Sequence, residues 1–149
     1  MIPKSYPLHL VQPMKDELLN SGFLEFTSAE QVKEVVQSTG TTFVVVNSVC
    51  GCSARGARPS AIYAIELLKK EASNLVPDRI YTVFAGYDME ETQALRELCM
   101  PYPASSPSMA FFKDGKLMGF LERRQIEGHT PEMIVRNIIN MLAPELVLA

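Results

Sequence analysis

Thr41 to Asn47 is an unbroken β-branched and aromatic run, with Phe43, Val44, Val45 and Val46 at its centre and no polar alternation. A strand with one wet face alternates with period two, so this run belongs to a strand covered on both faces, at the centre of an α/β sheet. The chain must then supply helices to both sides. Its 149 residues at 47% hydrophobic content can bury such a core without disulfide or metal staples, and one domain over residues 1–149 is the expectation.

The rest of the chain offers those elements. Leu8, Val11, Met14 and Leu18 recur at helical spacing and predict a helix from about Pro7 to Asn20, with Lys15, Asp16 and Glu17 on its charged face. Thr27-Ser28-Ala29-Glu30 has the form of a capping box opening a second helix, with Val32, Val35 and Val36 inward and Gly40 as its stop. Ser53 to Lys70 predicts a long helix with Ala57, Ala61, Ala64, Ile65 and Leu68 as its apolar stripe and Pro59 as a kink. Ile80 to Ala85 repeats the strand signal, and Asp88 through Glu91 has capping-box form before a helix to about Leu98. Cys99 to Pro107, with three prolines, is an irregular connection in which Pro101 and Pro103 are ordinary loop residues. Ser108–Phe112 and Lys116–Leu121 flank Lys113-Asp114-Gly115 as an antiparallel hairpin. Thr130 and Pro131 open a final helix with Met133, Ile134, Ile138, Met141 and Leu142 inward.

Directly after the central strand stands Cys50-Gly51-Cys52, where a strand hands over to a helix. Unpaired N–H groups and the positive end of the helix dipole favour thiolate there, so the pair reads as a redox centre. Burial as small apolar residues is the plainer alternative, and it does not account for two cysteines with a glycine between them at such a turn. A disulfide between residues i and i+2 closes a strained ring that is easily reduced. Gly51, with no Cβ to restrict φ, would permit the bend that ring needs; otherwise it is a generic turn glycine.

Charge and cysteine count narrow the class. A net charge of −3 with 21% charged residues provides no basic field for nucleic acid. Met1 to Leu10 has prolines and a histidine in place of a secretory apolar stretch, and no run approaches a membrane span, so a cytoplasmic protein without membrane contact is expected. Three cysteines are too few and odd for an extracellular framework, and leave catalytic, redox or metal roles open.

Helix, strand, cysteine turn, kinked helix, strand, helix, loop, hairpin and helix in that order resemble the thioredoxin fold over roughly residues 25–143. This is a three-layer α/β arrangement with a central mixed sheet flanked by helices, here with an N-terminal helical extension. Ser106-Pro107-Ser108-Met109-Ala110-Phe111-Phe112 resembles the stretch in which a cis proline opens the strand before the hairpin. Thioredoxins place two residues between the cysteines, whereas here Gly51 stands alone. Val46-Asn47-Ser48-Val49-Cys50-Gly51-Cys52, Ala57-Arg58-Pro59, Ser105-Ser106-Pro107-Ser108 and Glu127-Gly128-His129 together resemble the bacilliredoxins over nearly the whole chain.

That resemblance implies reduction of mixed disulfides between protein cysteines and the small thiol bacillithiol, or disulfide isomerisation at the same site. Cys50 would attack and Cys52 resolve, with the low-molecular-weight thiol as co-substrate and no tightly bound cofactor; glutathione or another thiol remains open. It also implies a cis Pro107 beside the cysteines, leaving the Ser106 backbone free to pair with an extended peptide. Some members carry a further cysteine near the C-terminus, where this chain has Leu146-Val147-Leu148-Ala149.

The remaining polar candidates have plainer readings beside functional ones. Arg55 and Arg58 could favour thiolate or draw an anionic thiol, or simply face water. Asn47 and Ser48 could bond the motif backbone. His129, next to Arg123 and Arg124 after the hairpin, is a loop residue at the Thr130 cap or a proton shuttle. Cys99 reads as core, and metal binding by three cysteines with His9 or His129 is the rival. A redox-inactive adaptor on the same fold is the other.

Overall fold

A computed structural model describes residues 2–146 of the chain; the C-terminal run after Leu146 lies outside them. The elements in order are α1 (Leu8–Leu19), β1 (Leu24–Glu25), α2 (Ala29–Gln37), β2 (Thr41–Asn47), α3 (Arg58–Glu71), β3 (Arg79–Phe84), α4 (Met89–Leu98), β4 (Ser108–Lys113), β5 (Lys116–Leu121) and α5 (Pro131–Leu142). The strands form one mixed sheet in the order β1-β3-β2-β4-β5. β1, β3 and β2 run parallel, and β4 and β5 are antiparallel additions. β2 is central, as its unbroken apolar run requires.

Alternation along β2 divides the core. Phe43 and Val45 join Met109, Phe111 and the buried faces of α3 and α5, while Val44 and Val46 join Ala110, Phe112 and those of α2 and α4. The result is three layers with β2 dry on both sides. Asp114 and Gly115 take φ values of 52° and 82°, the left-handed pair that a tight hairpin turn needs, so Lys113 faces Lys116, and a bulge between Phe111 and Phe112 shifts the pairing beyond the turn. Ser28 accepts from the Gln31 N–H to start α2, and Thr130 accepts from the Met133 N–H to start α5 with Pro131 behind it.

Several expectations change. β1 has two residues, too few for a periodic signal, and the sequence shows no strand there. The long helix is not continuous: a wide π turn at Ser53–Ala57 precedes α3, with the Arg58 N–H reaching the Ser53 carbonyl. Pro59 has no N–H to return to Arg55, so the ladder is interrupted before it and the preceding turn widens rather than kinks. Lys15 is not on a solvent face. It is buried, its Nζ lying 2.9 Å from Glu25 and 3.2 Å from Asp88.

Asp88 accordingly does not cap α4. Its carboxylate accepts from the Phe84 N–H at 2.9 Å and faces Lys15. Burial works against the Lys15 charge, yet the two carboxylates outweigh it and hold its pKa above the ordinary value. Leu8 and Met133, expected inward, are half exposed because each lies in its helix's first turn, ahead of the positions that reach the core. The Met100–Pro101 bond is cis, which sets Pro101 apart from an ordinary loop proline.

Candidate active site

The antiparallel pairing of Val46 with Ser108 carries the start of β4 to the end of β2. It brings Pro107, buried and with a cis Ser106–Pro107 bond, beside the residues that follow Asn47. Those residues are the cysteine turn. Gly51 and Cys52 are helical, and the Cys50 carbonyl accepts from the N–H groups of Ser53 at 3.0 Å and Ala54 at 3.4 Å. Cys50 therefore stands just outside the first turn, with the backbone N–H groups of Cys52 and Ser53 beside its sulfur, and Cys52 stands within it. Both thiols are free and partly exposed.

Asn47 and Arg58 hold this turn from below. The Asn47 amide donates to the Met14 carbonyl at 3.0 Å, and its Oδ1 accepts from the Ser48 N–H and from Arg58 Nη1, each at 2.9 Å. Arg58 Nη1 also donates to the Ser48 carbonyl at 3.0 Å. Its Nε lies 3.3 Å from the Glu17 carboxylate, an ion pair without hydrogen-bond alignment. With only 4% of its surface exposed, Arg58 neither faces water nor reaches the thiols; it is a strut joining β2, α1 and α3.

The thiols are unequal. Burial pushes the Cys50 thiol up, but donation from the Ser48 hydroxyl, from the backbone N–H groups of Ser53 and Cys52 and from the Cys52 thiol outweighs it, holding Cys50 below an ordinary thiol. Ser48 Oγ lies 3.4 Å from Cys50 Sγ and 2.8 Å from Ser53 Oγ. A hydroxyl has one proton, so when Ser48 donates to the Cys50 sulfur, Ser53 must donate to Ser48. Cys52 moves the opposite way: burial first, then the Cys50 charge, hydrogen bonding to Cys50 and the Glu127 charge raise it, against the lowering effect of Arg123.

Removing the Ser48 hydroxyl tests this relay. Ser48→Ala is expected to raise the Cys50 midpoint by about one pH unit, the scale of one hydrogen bond to a charged group. Ultraviolet thiolate absorbance in a Cys52→Ser background measures it. The pH profile of attack should move with it, since the rate climbs with the thiolate fraction and levels above the Cys50 midpoint.

The other candidates fall in different places. Gly51 does not have a positive φ in this reduced form, and a Cβ there would meet only the guanidinium end of the exposed Arg55, at 2.7 Å, which can swing away; nothing in this form requires glycine at the position. The Ser106 carbonyl is not free, since Arg123 Nη1 donates to it at 3.4 Å. His129 Nδ1 faces the Glu127 carbonyl at 3.2 Å, and Arg124 pairs with Glu122. Cys99 lies buried in the α2–α4 core, where burial pushes its thiol up to about 12. No three His, Cys, Asp or Glu side chains converge as a metal site among the described residues. Sequence reasoning missed a role for Ser53, whose hydroxyl meets Ser48 only once the turn forms, and named Glu127 only within the family motif without its place near Cys52.

Comparison with known proteins agrees with this geometry. The Plasmodium falciparum thioredoxin in its oxidised form superimposes with a TM-score of 0.55 at 15% identity, over 82% of this chain and 100% of that one. Mitochondrial thioredoxin 3 of Saccharomyces cerevisiae gives 0.52 at 15% identity, over 80% and 96%. These likenesses show the thioredoxin fold. A family model described as disulphide isomerase matches residues 6–144. A bacilliredoxin of Cytophaga hutchinsonii is 46% identical over 89% of this chain and 94% of its own. One from Geobacillus kaustophilus is 46% identical over 93% of each. With sequence agreement of that depth along nearly its whole length, the chain belongs to the bacilliredoxin family.

Proposed function

We propose that the protein is a thiol–disulfide oxidoreductase that reduces mixed disulfides between protein cysteines and a low-molecular-weight thiol, bacillithiol on the family's name. The observation that carries this reading is the placement of two free, partly exposed thiols at one helix start beside the cis Pro107, with Cys50 outside the first turn against the Ser48 hydroxyl and Cys52 within it. The Cys50 thiolate attacks the small thiol's sulfur, forming Cys50–S–S–R, and the client thiolate leaves and takes up a proton. Cys52 then loses its proton and attacks Cys50 Sγ, forming the Cys50–Cys52 disulfide and expelling R–S⁻, which is protonated in turn. An external thiol reductant restores the dithiol.

The small thiol is a co-substrate, and protein mixed disulfides are the partners. A reducing cytoplasm is the compartment such a cycle needs, and no helix among the described residues is long and apolar enough to cross a membrane. Disulfide isomerisation at the same thiols is the second reading, favoured by the description of the matching family model.

The test is transfer of the small thiol. Cys52→Ser protein incubated with a model protein carrying a bacillithiol mixed disulfide is expected to gain one bacillithiol on Cys50, read by intact mass. A parallel glutathione mixed disulfide tests the choice of thiol. Absence of adduct with either overturns the reading, and refolding of a scrambled substrate by the wild-type chain would then favour isomerisation.

A further inference from the structure

We propose that Arg123 is the residue that arms Cys52 for the resolving step: its guanidinium stabilises the Cys52 thiolate once Cys50 is capped by the small thiol. The inference rests on the exchange reading of the site. Arg123 follows β5 in a short turn, and its backbone N–H donates to Ser105 Oγ at 3.4 Å. Its Nη1 donates to the Ser106 carbonyl at 3.4 Å and its Nε to Glu127 at 2.8 Å. These contacts aim Nη2 at Cys52 Sγ, 4.0 Å away. One side chain thereby ties the cis-proline loop to the second thiol.

The charges facing Cys52 are few. Cys50 and Glu127 are negative, and Arg123 is the group among them that favours thiolate. Arg55, the other nearby cation, lies with its exposed guanidinium beside Gly51 and is not among the charges acting on Cys52. While Cys50 is a thiolate, a second negative charge next to it is unfavourable, and Cys52 stays protonated. Formation of Cys50–S–S–R removes that charge and leaves Arg123 in place. Burial and Glu127 still oppose ionisation, so the guanidinium sets how readily Cys52 gives up its proton. Cys52 S⁻ then forms the bond to Cys50 Sγ as the Cys50–S–R bond breaks, and the proton that left Cys52 is balanced by the one R–S⁻ takes up.

The order of ionisation follows from the charges: the resolving thiol is quiet until a substrate sulfur occupies Cys50. Arg123 is an electrostatic residue of this second step, a role that its half-buried position after a hairpin does not advertise.

Cys50→Ser protein, with no charge at position 50, isolates the effect. Ultraviolet thiolate absorbance follows Cys52 there, because Cys99, pushed up to about 12, stays protonated across the working range. Adding Arg123→Gln is expected to raise the Cys52 midpoint by about one pH unit, tenfold in proton affinity, and Arg123→Lys to recover at least half of that. In single turnovers of the otherwise intact chain with a bacillithiol-modified model protein, Arg123→Gln should slow release of bacillithiol about threefold more than it slows release of the client thiol, because the tenfold loss of thiolate is partly offset by its greater nucleophilicity. An unmoved Cys52 midpoint overturns the proposal. Failure of Cys50 to load overturns the exchange reading instead, and the Cys50→Ser titration still decides whether Arg123 acts on Cys52.

Discussion

Cys50→Ser is expected to reduce turnover of a protein–small-thiol mixed disulfide to the uncatalysed background. Serine keeps the size and the contacts of the turn, so the loss is chemical. Its hydroxyl is not ionised at neutral pH, and the donors that lower the Cys50 thiol have no thiolate to stabilise. Neither remaining cysteine replaces it. Cys99 is buried and held protonated. Cys52, relieved of its neighbour's charge, will ionise more readily, but an adduct on Cys52 has no second thiol to resolve it. Turnover assays should therefore fall to background while intact mass reveals at most a slow dead-end adduct on Cys52. Sustained turnover in this variant would move the attack to Cys52 and reverse the assignment of the two thiols.

Cys52→Ser has the complementary signature, an adduct that accumulates on Cys50. The pair of variants thus separates attack from resolution, which neither does singly. A metal-binding or adaptor role predicts neither adduct. Both outcomes depend on the asymmetry built by Ser48, Ser53 and the first helical turn rather than on the Cys-Gly-Cys spacing alone.

The legible parts of this molecule are those whose signal is local. β2 was readable as a doubly covered strand because seven consecutive residues lack alternation, and Asp114-Gly115 and Thr130-Pro131 carry their turn and cap chemistry in adjacent positions. The cysteine turn was readable for the same reason. What escaped is polar chemistry assembled across the chain. Lys15 looks like a solvated helix residue until Asp88, 73 positions away, is brought beside it. Arg58 looks the same until β2 and α1 present Asn47, Ser48 and Glu17. Arg123 reaches Cys52 across 71 positions, through the register of the β4–β5 hairpin. A charged side chain in a helix carries no mark of burial in its own neighbours, because the groups that neutralise it are supplied by other elements. The resemblance to a known family supplied the cis Pro107, which base rates for proline bonds do not favour.

Arg58→Met is expected to lower stability by about 2 kcal/mol, and magnitudes decide the sign. Replacing a buried cation with an apolar side chain of similar length removes a desolvation cost, and in some proteins that alone is stabilising. Here the acceptors stay behind. The Ser48 carbonyl loses its Nη1 donor in a buried position, at a cost of about 1–3 kcal/mol, while Asn47 Oδ1 keeps the Ser48 N–H and loses less. The Glu17 contact adds little, because that carboxylate is 38% exposed. The balance remains destabilising, and for a chain of this size it corresponds to a drop in Tm of roughly 4–8 °C. The same loss reaches the chemistry. Arg58 fixes the Ser48 carbonyl, and the Ser48 hydroxyl lies against Cys50, so the Arg58→Met variant should also titrate Cys50 at higher pH and attack more slowly at neutral pH. Arg58→Lys, with one cationic head in place of a fork, should fall between the two. Calorimetry and thiolate titration on the same samples separate the effects. A Tm that falls without movement of the Cys50 midpoint would confine Arg58 to holding the fold, and movement of both would make it the link by which the core sets the reactivity of the first thiol.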